Sequence, residues 1–141
     1  MPYREKISWL SLLSMLAVFV PYFTWMKLYP PTENLPNFSQ LALYAAVCCI
    51  WVSLLGIGHL VLRNSTPDEA KLPLDERDRA IQSRGVSMAY GVLMAGMIVV
   101  GCIMPFTDSG WTIVNTAIFM IVLAEVVRDA TVVINYQRQT A

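Results

Sequence analysis

Glu125, Arg128 and Asp129 stand close together inside an otherwise apolar stretch. On a helix Glu125 and Asp129 are related as i,i+4 and Arg128 as i,i+3 to Glu125, so the three share one local patch. Carboxylates in such a setting could hold a proton, bind a cation or pair with arginines. A charge left on the lipid face costs on the order of 3 kcal/mol, so the patch is expected to face the interior of a helix bundle. Opposite charge is on offer from Arg77, Arg79 and Arg84. The expected arrangement pairs Glu125 and Asp129 with Arg84 and with one of Arg77 or Arg79. That network would clamp the segment ahead of the third apolar run onto the inner end of the fourth.

Other chemistry has less to stand on. His59 has no second His, Cys or carboxylate at ligand spacing, and no CxxC accompanies Cys48, Cys49 and Cys102. No metal and no other cofactor is therefore expected, and the cysteines read as small packing residues. There is no HExxH, GxSxG, Walker glycine loop or GxGxxG, and the chain is not expected to be an enzyme. Ten basic residues against ten acidic ones leave no net charge. Direct binding to nucleic acid is not expected from such a balance.

The elements that must position these side chains are long apolar runs. Of 141 residues, 56% are hydrophobic and 14% charged, where a soluble domain carries about 25% charge. Crossing roughly 30 Å of hydrocarbon takes about 20 apolar residues. Runs over 7–26, 41–62 and 86–106 meet that need, and a fourth over 111–134 is uncharged from Trp111 to Ala124 before it meets Glu125, Arg128 and Asp129. They predict an all-α integral membrane protein, a four-transmembrane-helix bundle made of two helical hairpins, in a single membrane domain over 1–141. The first run ends in Tyr22, Phe23, Trp25 and Tyr29 with no small-residue cleavage pattern, which reads as a retained helix with an interfacial belt. Pro21 predicts a kink there, with Thr24 or Ser14 re-satisfying the backbone. Ser87, Gly91 and Ala95 in the third run, and Ala42 and Ala46 in the second, predict packing faces. Arg4, Lys6, Arg63, Lys71, Arg77, Arg79, Arg84 and Arg138 fall on one side and only Lys27 on the other. That bias places both termini in the cytoplasm.

The segment 63–85 carries much of the charge. Pro73 ends any preceding helix, Asp75 is a good N-cap, and Glu76 and Asp78 complement the positive end of a new helix. That helix either bends at Gly85 or runs straight into the third span. Asp68, Glu69, Asp75, Glu76 and Asp78 are the candidate contacts for a cytoplasmic or membrane protein partner. A homo-oligomer is equally compatible with small-residue faces, and the lipid bilayer is the remaining partner.

The stretch Asp75-Glu76-Arg77-Asp78-Arg79-Ala80-Ile81, a DERD-x-x-I motif followed by Arg84, resembles that of small uncharacterised bacterial four-span membrane proteins. The opening Tyr3-Arg4-Glu5-Lys6-Ile7-Ser8-Trp9 is similar to the start of such proteins. The resemblance implies the bacterial inner membrane and a partner role beside helix-turn-helix regulators, and brings no catalytic residue with it. The expected function is that of a non-enzymatic interaction or regulatory subunit using its cytoplasmic charged segment. The alternative is a small oligomeric transporter or proton-linked channel using the intramembrane carboxylates.

Overall fold

Uncharged runs of this length have no reason to break within themselves, and each extends as a helix beyond its apolar bounds into polar sequence. The computed structural model describes residues 3–31, 37–108 and 110–140. Its elements are α1 (Tyr3–Leu28), α2 (Phe38–Ser65), a short α3 (Pro67–Lys71), α4 (Glu76–Ile98) and α5 (Trp111–Thr140), with no strand among the described residues. Three stretches are long and apolar enough to cross a membrane: Tyr3–Leu28, Phe38–Ser65 and Glu76–Phe106. The sequence led to four, and α5 is not among the three. Its 30 residues include Asn115, Thr116, Glu125, Arg128 and Asp129. Most positions along it are at least half-buried, so this is a helix with neighbours on two sides rather than one facing lipid all round.

Local chemistry sets the ends. Asn37 caps α2 by accepting from the Gln40 N–H at 3.1 Å, and Asp75 caps α4 through the Glu76 N–H at 2.6 Å. α4 then continues as helix through Gly85. Farther along, Pro105 brings no N–H and crowds the carbonyl four residues back. The helix accordingly widens into a π turn over Val99–Ile103 and tightens into a 3₁₀ turn over Met104–Phe106. Thr107 and Asp108 N–H close it on the Met104 carbonyl at 3.0 and 2.7 Å. Gly110, at φ +56°, supplies the left-handed residue that turns the chain into α5. Pro21 leaves α1 helical. Thr24 donates to the Val20 carbonyl at 2.7 Å and Ser14 to that of Ser11 at 3.0 Å, so neither hydroxyl serves Ala17, whose carbonyl loses its donor to the proline.

The helices stand side by side in the order α2, α1, α5, α4. On α1 the buried positions Glu5, Ser8, Leu12, Met15, Phe19, Tyr22 and Met26 alternate three and four apart, the spacing of a knobs-into-holes seam. Met15, Phe19, Tyr22 and Met26 form the core, covered by Tyr44, Val47, Cys48 and Trp51 from α2 and by Val122 and Val126 from α5. Tyr22 donates to Asn115 Oδ1 at 3.0 Å, bonding α1 to α5. Tyr22→Phe is expected to lower stability by about 1 kcal/mol; an unchanged thermal midpoint in mild detergent would show that the bond contributes nothing.

Between α4 and α5 the contact is made by Ile81, Gly85, Gly96 and Val100. A Cβ at Gly85 would lie 2.9 Å from Val132 Cγ2 and 3.1 Å from the Arg128 carbonyl oxygen, and one at Gly96 2.6 Å from Met120 Cγ. These glycines set the close approach. The expected stripe Ser87, Gly91, Ala95 is exposed on the opposite side, and a Cβ at Gly91 would meet nothing within 4 Å. Ala42 and Ala46 are exposed as well. Both stripes of α4 carry small residues, and the Ile81–Val132–Tyr136 cluster decides which one turns inward.

Candidate functional site

The hairpins α1–α2 and α4–α5 meet along α1 and α5, and no packing seam joins α2 to α4. The unfilled side holds a cavity of about 920 Å³, within the range that accommodates a small ligand. Ser8 and Ser11 of α1, Trp51, Gly56 and His59 of α2, Gln82 of α4, and Arg128 and Asp129 of α5 are in its walls. Gly58 holds the C-terminal part of α2 tightly on α1, since a Cβ there would be 2.6 Å from Leu10 Cδ1. Gly56, which lines the cavity, has no neighbour within 4 Å of where its Cβ would stand.

Arg128 is the centre of the charged patch. Its Nη1 meets Glu125 Oε2 at 2.6 Å, and its Nε and Nη2 donate to Asp129 Oδ1 at 3.2 and 3.1 Å. Asp129 is 3% exposed, and its Oδ2 is buried with no hydrogen-bond partner. Trp51 Nε1, also in the cavity wall, is buried without an acceptor. The expected pairing of the two carboxylates with Arg84 is not the one formed. Arg84 Nη1 donates instead to Asn135 Oδ1 at 3.3 Å. Asn135 lies six residues beyond Asp129, about 9 Å along α5, so the axial register carries Arg84 past the carboxylates. Arg77 and Arg79 are exposed.

A clamp between the start of α4 and the end of α5 does exist, built on another carboxylate. Asp78 Oδ2 pairs with Arg4 Nε at 3.0 Å, and its Oδ1 accepts from the Tyr136 hydroxyl at 2.5 Å. Arg4 Nη2 also donates to the Leu72 carbonyl at 3.1 Å. Burial, then the hydrogen bond to Asp78 and that carboxylate's charge, hold the Tyr136 phenol well above its ordinary value. Three helix ends and the α3–α4 connection are thereby tied together. Of the candidate partner contacts, Asp78 is thus drawn into the fold and Asp75 is occupied as a cap, whereas Asp68 and Glu76 are exposed. The side chain of Glu69 lies outside the described residues.

His59 sits against Tyr3 with ring centroids 6.3 Å apart. Cys48 packs on the α1 core, but Cys49 and Cys102 are exposed on helix surfaces and do not pack. Among the described residues no three of His, Cys, Asp and Glu converge as a metal site requires. Residues of the cavity wall carry an unpartnered carboxylate oxygen, an unpartnered indole N–H and two serine hydroxyls in a largely apolar surround, a set that can hold a proton or bind the polar head of a ligand. Charge counting alone could not have found Ser8, Ser11, Trp51 or Gln82. The signal available for two of them was the recurrence of serine at 8, 11 and 14 within an apolar run. No family model, curated protein or solved structure matches the chain.

Proposed function

We propose that the chain is a non-enzymatic, four-span protein of the bacterial inner membrane, with both termini cytoplasmic. In this reading it acts as an interaction or regulatory subunit through the charged segment 63–85. The uncharged run from Trp111 to Ala124 supports α5 as the fourth span, and the one-sided Lys and Arg distribution supports the orientation. One observation carries the role. The connection between α2 and α4 and the first turn of α4 expose Asp68, Lys71, Glu76 and Arg79, and the connection joins two helices that flank the cavity. A partner on this segment would read the spacing of α2 and α4.

The test reverses charge on two exposed side chains. Asp68→Lys with Glu76→Lys is expected to abolish stoichiometric co-purification of a partner from native membranes in mild detergent, with helical content unchanged and stability lowered only by the about 1 kcal/mol or less that a first-turn carboxylate of α4 contributes. Co-purification that survives the double reversal would reject the reading. Reversing Asp78 would not serve, because that side chain ties α1 and α5 to α4.

A second reading, a small oligomeric transporter or proton-linked channel, is favoured by the unpartnered Oδ2 of Asp129 beside a cavity. It requires proton or cation flux in liposomes that stops with Asp129→Asn.

A further inference from the structure

Asp129 combines three properties that structural roles alone do not call for. It is almost fully buried, one of its carboxylate oxygens has no donor, and it stands in the wall of a large cavity. A buried acceptor without a partner carries an uncompensated desolvation cost, which a donor brought by a ligand would remove. The charge around it has a definite sign. In the wall Arg128 stands against Asp129, with His59 as the other ionisable group; Glu125, outside the wall, shares the Arg128 guanidinium at 2.6 Å, so the three charges of the patch sum to one negative. A cation complements this end of the cavity and an anion does not. Beyond Ser8, Ser11 and Gln82 the remaining surface is apolar, with Val52, Leu55, Leu60, Val86 and Val132 in the walls. Along α2 the cavity extends from Trp51 to Leu60, about 13 Å of helix. Access is lateral, because α2 buries none of its residues and no seam closes it against α4.

We propose that this cavity binds a cationic amphiphile entering sideways from the bilayer, its ammonium head donating to Asp129 and its aliphatic chain lying along α2. Gly56 keeps the chain path clear, since any side chain there would project into the space. The site is independent of the partner role of residues 63–85 and stands if that role fails.

The experiment uses the full chain in phosphatidylcholine nanodiscs, with dodecylamine as probe and dodecanol and dodecanoate as head-group controls. Binding is read by equilibrium dialysis and by the tryptophan emission change that Trp51→Phe removes. Dodecylamine is expected to bind saturably, dodecanol more weakly, and dodecanoate only by partition into lipid. Asp129→Asn, which keeps the oxygen that Arg128 holds, should weaken dodecylamine binding by about tenfold or more. Gly56→Leu, which fills the cavity from the facing wall without touching a charge, should weaken it comparably. Unsaturable dodecylamine binding, or dodecanol or dodecanoate binding as tight as the amine, would overturn the proposal on the wild-type chain alone. Undiminished affinity in both variants would overturn it too. If Asp129→Asn fails to fold, Gly56→Leu and the head-group series still decide.

Discussion

Gly85→Leu is expected to destabilise the protein by about 3 kcal/mol, whereas Gly91→Leu leaves stability at or above the wild-type level. The two glycines lie on the same helix, six positions apart, and differ in what surrounds them. At Gly85 even a methyl group would stand 2.9 Å from Val132 and 3.1 Å from the Arg128 carbonyl. The second of these atoms is backbone and cannot rotate away, so α4 would have to move off α5. Leucine is the better helix former by roughly 0.8 kcal/mol, which is too little to offset that displacement. At Gly91 the same helix-propensity gain comes without a clash, because no atom lies within 4 Å of the new Cβ. Thermal midpoints of both variants in one mild detergent make the comparison. Should Gly91→Leu be the damaging change, α4 packs with its Ser87–Gly91–Ala95 stripe inward and the described helix interface is wrong.

Asp78→Leu is the second large loss, expected at about 2 kcal/mol. The substitution removes the ion pair to Arg4 and leaves the Tyr136 hydroxyl, whose residue is 3% exposed, without its acceptor. Arg4 and Asp78 are partly open to solvent, which keeps the figure below that of a fully buried pair. Tyr136→Phe should cost about 1 kcal/mol, the hydrogen bond alone. Its penalty also has a pH signature. The folded-state phenol is raised above its ordinary value of 10.0, so the stability it confers is present below that value and is lost as pH rises toward the folded pKa. Wild type and Tyr136→Phe should therefore converge in strongly alkaline buffer. A gap between their midpoints that stays constant with pH would show that the hydroxyl is not buried against Asp78.

The contrast between these sites and the charged patch shows what a sequence carries. Uninterrupted apolar runs specify helices because nothing inside them competes with the backbone ladder, and Asp75 after Pro73 specifies where α4 starts. Spacing also brings Glu125, Arg128 and Asp129 onto one face, since that relation is internal to α5. Relations between helices depend on rotation and axial register. Gly85 and Gly91 look alike in sequence, and only the packing of Ile81 against Val132 and Tyr136 separates them. Arg84 was within reach of two carboxylates by its charge but came to rest beside Asn135. Tyr136 and Asn135 are neutral, so counting charges passed over the residues that tie α5 to the start of α4. Asp129 was legible as a residue of interest, but the space beside it comes from α2 and α4 standing apart, which no local pattern encodes.

Because α1 completes its buried face on α5, the nascent chain cannot settle its first hairpin when that hairpin emerges from the ribosome. Tyr22 must await Asn115, and Arg4 must await Asp78. Until α5 is synthesised, the part of α1 that Asn115, Val122 and Val126 meet lacks its permanent neighbours.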